Sequence, residues 1–202
     1  LAIFMSLTNI LQVIALYAQY RINKVHHGLG WWTLGTALWA SGFILNGLRS
    51  GTPMGLAAII LNNFCFVTGL AAILVGVLRF FSRRVRPGLL IFPIAGWALL
   101  IVWFTLARDD LAARTILTYG ASAILALLTA LALYAYRLRA VTASAHFLAT
   151  LFLGMGLFFT FRAVAPFFSG PGGDLFAPTL VQVVSYTGAL VCTMLWTVGM
   201  II

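Results

Sequence analysis

Seven apolar runs, separated by short polar or basic joints, set the pattern of the chain. They cover residues 1–20, 31–48, 54–79, 89–107, 115–136, 147–168 and 179–202. Each is close to the roughly 20 helical residues that a bilayer core requires. Proline punctuates the joints. Pro53, Pro87 and Pro178 fall near expected helix starts, where a missing N–H is harmless. Pro93 lies inside the fourth run and predicts a kink, and Pro166 is expected to help end the sixth. No long hydrophilic loop or internal repeat interrupts the series, so residues 1–202 read as one all-α domain, a polytopic bundle of seven transmembrane helices.

Within the apolar runs the polar side chains recur at helical spacing. Asn9, Gln12 and Gln19 share a face of the first helix, and Asn46 and Arg49 close a glycine face on the second. Asn62 lies on the stripe Cys65–Gly69–Ala72–Gly76 of the third, with Asn63 beside it. Thr115, Tyr119, Ser122 and Thr129 align on the fifth, and Gln182 and Ser185 on the seventh, with Tyr186 adjoining. The sixth carries a single charge, Arg162, about 15 residues along a run that starts at Phe147, or roughly 22 Å into the membrane. Two readings of Arg162 stay open. Its head snorkels to the surface, or it faces the bundle interior and meets an anionic or hydrogen-bonding ligand.

Composition strengthens the membrane reading. The chain is 63% hydrophobic and 7% charged, with a mean hydropathy of +1.09, too few charges for a soluble domain of this length. Twelve Lys and Arg against three acids give a net charge of +9. Because the basic residues cluster between apolar runs, they are topology signals and not a nucleic-acid footprint. Arg21, Lys24, Arg79, Arg83, Arg84, Arg86, Arg137 and Arg139 fall in one set of joints. Arg49, Arg108 and Arg114 fall in the other, with Asp109, Asp110 and Asp174. The first set is therefore expected in the cytoplasm, the N-terminus outside and the C-terminus inside. Trp31 and Trp32 would belong to an inner aromatic belt, and the loops near Ser50–Thr52, Arg108–Arg114 and Ser169–Ala177 are too short to fold separately. The chain opens on Leu1 and closes on the apolar Met200-Ile201-Ile202, which suggests a segment of a longer protein, cut before a cytoplasmic part.

With that orientation Arg162, Arg49, Asn46, Asn62, Asn63, Gln182, Tyr186, Asn9 and Gln12 all lie in the outer half and are the candidate ligand-binding residues. The alternative is ordinary membrane packing, in which small and amide side chains hold helices together. Other chemistries lack their residues. Lys24, the sole lysine, is not in a span, so no retinal Schiff base is expected. His26, His27 and His146 lie near one surface without Cys, Asp or Glu, so no metal site is expected. No carboxylate lies within a span to couple transport to protons or sodium, and no hydrolytic motif occurs. Cys65 and Cys192 are isolated and read as small core residues. No cofactor is implied.

The stretch RINKVHHGLGWWTLGTALWASGFILNGLR (residues 21–49) resembles the seven-helix N-terminal sensory regions that precede the GGDEF domain of bacterial transmembrane diguanylate cyclases. Residues 61–81, LNNFCFVTGLAAILVGVLRFF, and 137–164, RLRAVTASAHFLATLFLGMGLFFTFRAV, are similar in layout. The GGDEF motif is not in these 202 residues, so no catalytic residue carries over. The resemblance implies an inner-membrane sensory module whose last helix continues into a cytoplasmic output domain, and a homodimer, since such outputs work in pairs. Its ligand would be small and anionic, or lipid-like. The other readings are a carrier or channel subunit for a small solute, a subunit with no ligand of its own, and the input domain of a histidine kinase.

Overall fold

The computed structural model describes residues 2–22, 28–48, 55–86, 88–136, 142–168, 187–188, 191–192 and 194–199. Every regular element among them is helical: α1 (Ala2–Ile22), α2 (Leu29–Leu48), α3 (Gly55–Phe80), α4 (Gly88–Leu106), α5 (Leu111–Ala135) and α6 (Thr142–Phe168). The described residues of the seventh expected run, 187–188, 191–192 and 194–199, are also helical. Four of the helices, α3 to α6, are long and apolar enough to cross a membrane. The 26 residues of α3, for example, extend roughly 39 Å. The expected loops Ser50–Thr52 and Ser169–Ala177 lie outside the described residues, as do Lys24, His26, His27, Asp174, Arg137 and Arg139.

The sequential pairs α1–α2, α2–α3 and α5–α6 run antiparallel. Gly30 of α2 meets Tyr20 of α1, Gly35 and Gly42 of α2 meet Ile73 and Phe66 of α3, and Gly156 of α6 meets Leu127 of α5. The α2–α3 seam is the tightest. A Cβ on Gly69 would lie 2.5 Å from Trp39 Cδ1, and one on Gly76 would lie 2.3 Å from Trp32 Cδ1. Glycine lets the two backbones approach, and the indoles fill the gap on the facing helix. Trp32 is therefore a buried core residue, its ring tilted against that of Phe80 at 5.4 Å, and not part of an interfacial belt. Trp31 stays at the edge, under the Arg79 guanidinium at 5.1 Å.

The helix α4 lies at the periphery against α3 and α5. Only Trp97, Ile101 and Thr105, one face at a four-residue spacing, are buried, and Trp97 Nε1 donates to the Leu117 carbonyl of α5 at 3.1 Å. Leu90, Ile94 and Ala98 are half-buried beside that face, and Leu89, Phe92, Leu99 and Trp103 on the remaining circumference are exposed, as a lipid-facing helix requires. The helix continues through Pro93. In α6 the chain runs two residues past Pro166 before stopping at Phe168. A proline at 166 has no N–H to donate to the carbonyl four residues back, on Arg162.

Many polar side chains spend their donors on their own helix. Thr36, Thr105, Thr115, Thr129 and Thr160 each donate to the carbonyl four residues earlier. This is how hydroxyls are accommodated where water is scarce.

Candidate functional site

Arg162 faces inward. It is 9% exposed, and its Nη2 donates to the Tyr119 hydroxyl at 3.4 Å, a long bond. The guanidinium carbon sits 5.0 Å from the centroid of the same ring. Two features of the chain bring the pair together. Antiparallel packing of α5 and α6 places Tyr119 level with the last third of α6, and Phe159, one turn before Arg162, packs on Tyr119 at 6.0 Å. Nε of Arg162 is buried without a hydrogen-bond partner. Among the described residues no carboxylate pairs with it, because the one ion pair there joins Arg114 and Asp109.

The energies are lopsided. Removing a guanidinium from water costs several kcal/mol even after the surroundings relax. A desolvated cation–ring contact returns about 2 kcal/mol, and a long hydrogen bond returns less than the ~1 kcal/mol of a good one. A group accepting hydrogen bonds, best an anion, would offset the remainder through charge-assisted bonds.

The other candidates divide into groups. The register that sets Gly42 against Phe66 brings Asn46 of α2 level with Asn62 of α3, one turn nearer the Asp109 end of the bundle. Asn62 is buried and its Oδ1 has no partner, whereas Asn46 is half-buried. Asn63 is half-buried, and its Nδ2 is used on the Ile59 carbonyl at 2.9 Å, so it is the weakest candidate. Asn9 and Gln12 are buried on α1, and both amide atoms of Gln12 lack partners. Arg49, Gln182 and Tyr186 lie outside the described residues. What links α2, α3, α5 and α6 is aromatic: Tyr119 meets Phe159, Phe159 meets Trp39 at 6.4 Å, and Trp39 meets Phe43 at 6.0 Å and Phe66 at 5.3 Å. Trp39 Nε1 also donates to the Phe66 carbonyl at 3.1 Å. Trp196 closes the group, 5.3 Å from Trp39 and stacked on Phe152 at 5.6 Å.

Two residues were misjudged from sequence. Arg114, expected in a loop, is 7% exposed. It lies on the first turn of α5, its Nη2 is 3.0 Å from Asp109 Oδ1, and its Nε and Nη1 are buried without partners. The available signal was Asp110. Its Oδ1 accepts from the Ala113 N–H at 2.9 Å, an N-cap that starts the helix at Leu111 and carries Arg114 inside. Tyr119, read as one of an aligned polar stripe and placed in the outer half with Arg162 but not among the ligand-binding candidates, is the residue that holds Arg162.

No family model, curated protein or solved structure matches the chain. Among the described residues no group of three or more His, Cys, Asp and Glu could hold a metal.

Proposed function

We propose that this chain is the seven-helix input module of a bacterial inner-membrane signalling protein. It takes up a small anionic or amphipathic ligand through Arg162 in the outer leaflet. It then passes the occupancy through its last helix to a cytoplasmic diguanylate cyclase, working as a homodimer. The observation that carries the reading is the buried Arg162 guanidinium, held by one long hydrogen bond and the face of Tyr119. The apolar surroundings of Phe158 and Phe159 favour a ligand with a hydrocarbon part. The aromatic series Tyr119–Phe159–Trp39–Trp196 gives a packed connection from Arg162 to residues 194–199, so a change at one end has a route to the other.

The orientation rests on the basic residues. Arg79, Arg83, Arg84 and Arg86 sit at one end of the bundle, with Arg21 at the same end of α1. Arg108 and Arg114 share the opposite end with Asp109 and Asp110, which fits a cytoplasmic Arg83 end.

Binding of palmitate to the chain in phosphatidylcholine nanodiscs tests the site, with methyl palmitate as the uncharged control. A charge-assisted hydrogen bond contributes about 1.5–3 kcal/mol, so Arg162→Ala should weaken palmitate roughly 10- to 100-fold. Arg162→Lys should restore little, because an ammonium lacks the planar fork. Equal affinity of wild type and Arg162→Ala, or equal binding of acid and ester, refutes the site.

A further inference from the structure

The α3–α4 turn carries Arg79, Arg83, Arg84 and Arg86, all exposed. Four like charges within eight residues repel, yet backbone hydrogen bonds fix the described residues of the turn. The Arg83 N–H donates to the Leu78 carbonyl at 2.8 Å and the Ser82 N–H to the Arg79 carbonyl at 2.9 Å. Ser82 adopts a left-handed φ of 56°. This is the paired-bond helix stop in which glycine is usual at the left-handed position. The Leu89 N–H closes the turn onto the Arg86 carbonyl at 3.1 Å. Two of the guanidiniums are then fixed on rings of other helices. Arg83 lies 4.4 Å from the centroid of Tyr136, the residue that caps α5, and Arg79 lies over Trp31 of α2. A topology signal requires only positive charge. It does not require a stopped turn or two cations held over aromatic faces at the ends of two other helices.

Charge and surroundings identify the occupant. Both described acids, Asp109 and Asp110, lie at the opposite end of the bundle. Directly after the turn, α4 presents Leu89, Ile91 and Phe92, all exposed. A basic, hydrogen-bond-rich rim continuous with an apolar helix face matches a molecule with a phosphate head and acyl chains.

We infer that the α3–α4 turn is a binding site for an anionic phospholipid. Its phosphate is held by the forks of Arg83, Arg84 and Arg86, and its chains lie along the start of α4. Guanidinium and phosphate pair in a bidentate way. Each basic residue near an anionic lipid surface contributes about fivefold in binding.

Native mass spectrometry of the whole chain tests this, after exchange from nanodiscs holding equal phosphatidylglycerol and phosphatidylcholine with identical acyl chains. Wild type should retain phosphatidylglycerol at least fivefold over phosphatidylcholine. Arg84→Gln should lower that preference about fivefold, and Arg108→Gln, an exposed arginine at the other end, should leave it unchanged. Tyr136→Leu alters no charge but releases Arg83, and should lower the preference about twofold. Should Arg84→Gln fold poorly, Arg84→Lys, which keeps the charge but not the fork, should still lose about twofold. Equal retention of both lipids by wild type overturns the site. So does a loss in Arg108→Gln as large as that in Arg84→Gln, or displacement of phosphatidylglycerol by a short DNA duplex at equal phosphate concentration.

Discussion

Replacing Gly69 by alanine sets two effects against each other, and the geometry of the α2–α3 seam decides between them. In an isolated helix, alanine is favoured over glycine by about 1 kcal/mol. Here the added Cβ would lie 2.5 Å from Trp39 Cδ1 and 3.0 Å from the Gly35 carbonyl oxygen, distances that packed atoms do not tolerate. Trp39 cannot swing aside freely. Its indole N–H is bonded to the Phe66 carbonyl, and its ring is packed on Phe43, Phe66, Phe159 and Trp196. The helices must therefore separate, at the roughly 1–3 kcal/mol typical of overpacking, or the indole must break its bond, at about 1–3 kcal/mol for a buried donor left unmade. Either route, less the propensity gain, leaves Gly69→Ala destabilised by about 1 kcal/mol and at most about 2 kcal/mol. At roughly 2–4 °C per kcal/mol for a chain of this size, Tm should fall by about 2–8 °C. Thermal unfolding of purified protein in a mild detergent, followed by circular dichroism, measures this. Gly96→Ala and Gly154→Ala are the controls, because nothing lies within 4 Å of a Cβ at either position, and each should leave Tm unchanged or raise it. A Gly69→Ala protein as stable as wild type, or a Gly96→Ala protein that falls as far, refutes the close-approach account of the seam.

Three further outcomes are expected. Asp110→Ala removes the acceptor for the Ala113 N–H and should lower stability by about 1 kcal/mol, whereas Asp110→Asn should retain most of it; equal losses in the two variants would dismiss the cap. Reporters fused after Arg86 or Arg139 should be cytoplasmic and one at Gly172 external, and an external Arg86 fusion would reverse the orientation and move the Arg162 site to the inner leaflet. If the last helix pairs across a homodimer, single cysteines at its exposed positions Val191, Met194, Leu195 and Val198 should crosslink between protomers in membranes. Cysteines at the buried Trp196 and Thr197 should not, and crosslinking without this periodicity would count against helix pairing.

The positions of the helices were legible in the order of residues. The expected runs at 31–48, 54–79 and 89–107 agree with Leu29–Leu48, Gly55–Phe80 and Gly88–Leu106 to within two residues at each end. The cause is local, since apolar run length and proline placement mark helix limits without reference to any neighbour. Where a start was misjudged, local chemistry had been passed over. The N-cap of Asp110 sets α5 four residues earlier than the expected 115, and this alone moves Arg114 from loop to interior. The sixth helix also starts earlier than the expected 147, at Thr142, which takes His146 into its first two turns, half-buried, with its ring 5.7 Å from that of Tyr134 on α5.

Which way each helix turns its side chains was not legible in the same way. A soluble helix declares its inner face by contrast between apolar and polar sides, but helices such as α4 and α6 are apolar almost all round, so periodicity cannot say which face meets protein and which meets lipid. Arg162 could be read as a snorkelling anchor or an interior cation, and only the packing of α6 on α5, with Tyr119 opposite, decides for the interior. Trp32 could be read as a belt residue, and only the glycine of α3 opposite it makes room for a core indole. The sequence by itself determined that this chain is helical, apolar enough for membrane helices and asymmetric in its basic residues, because those properties are sums over local composition. The inward turn of Arg162 and the aromatic centre around Trp39 were decided by tertiary structure, because each depends on residues from two or more helices that are distant in sequence.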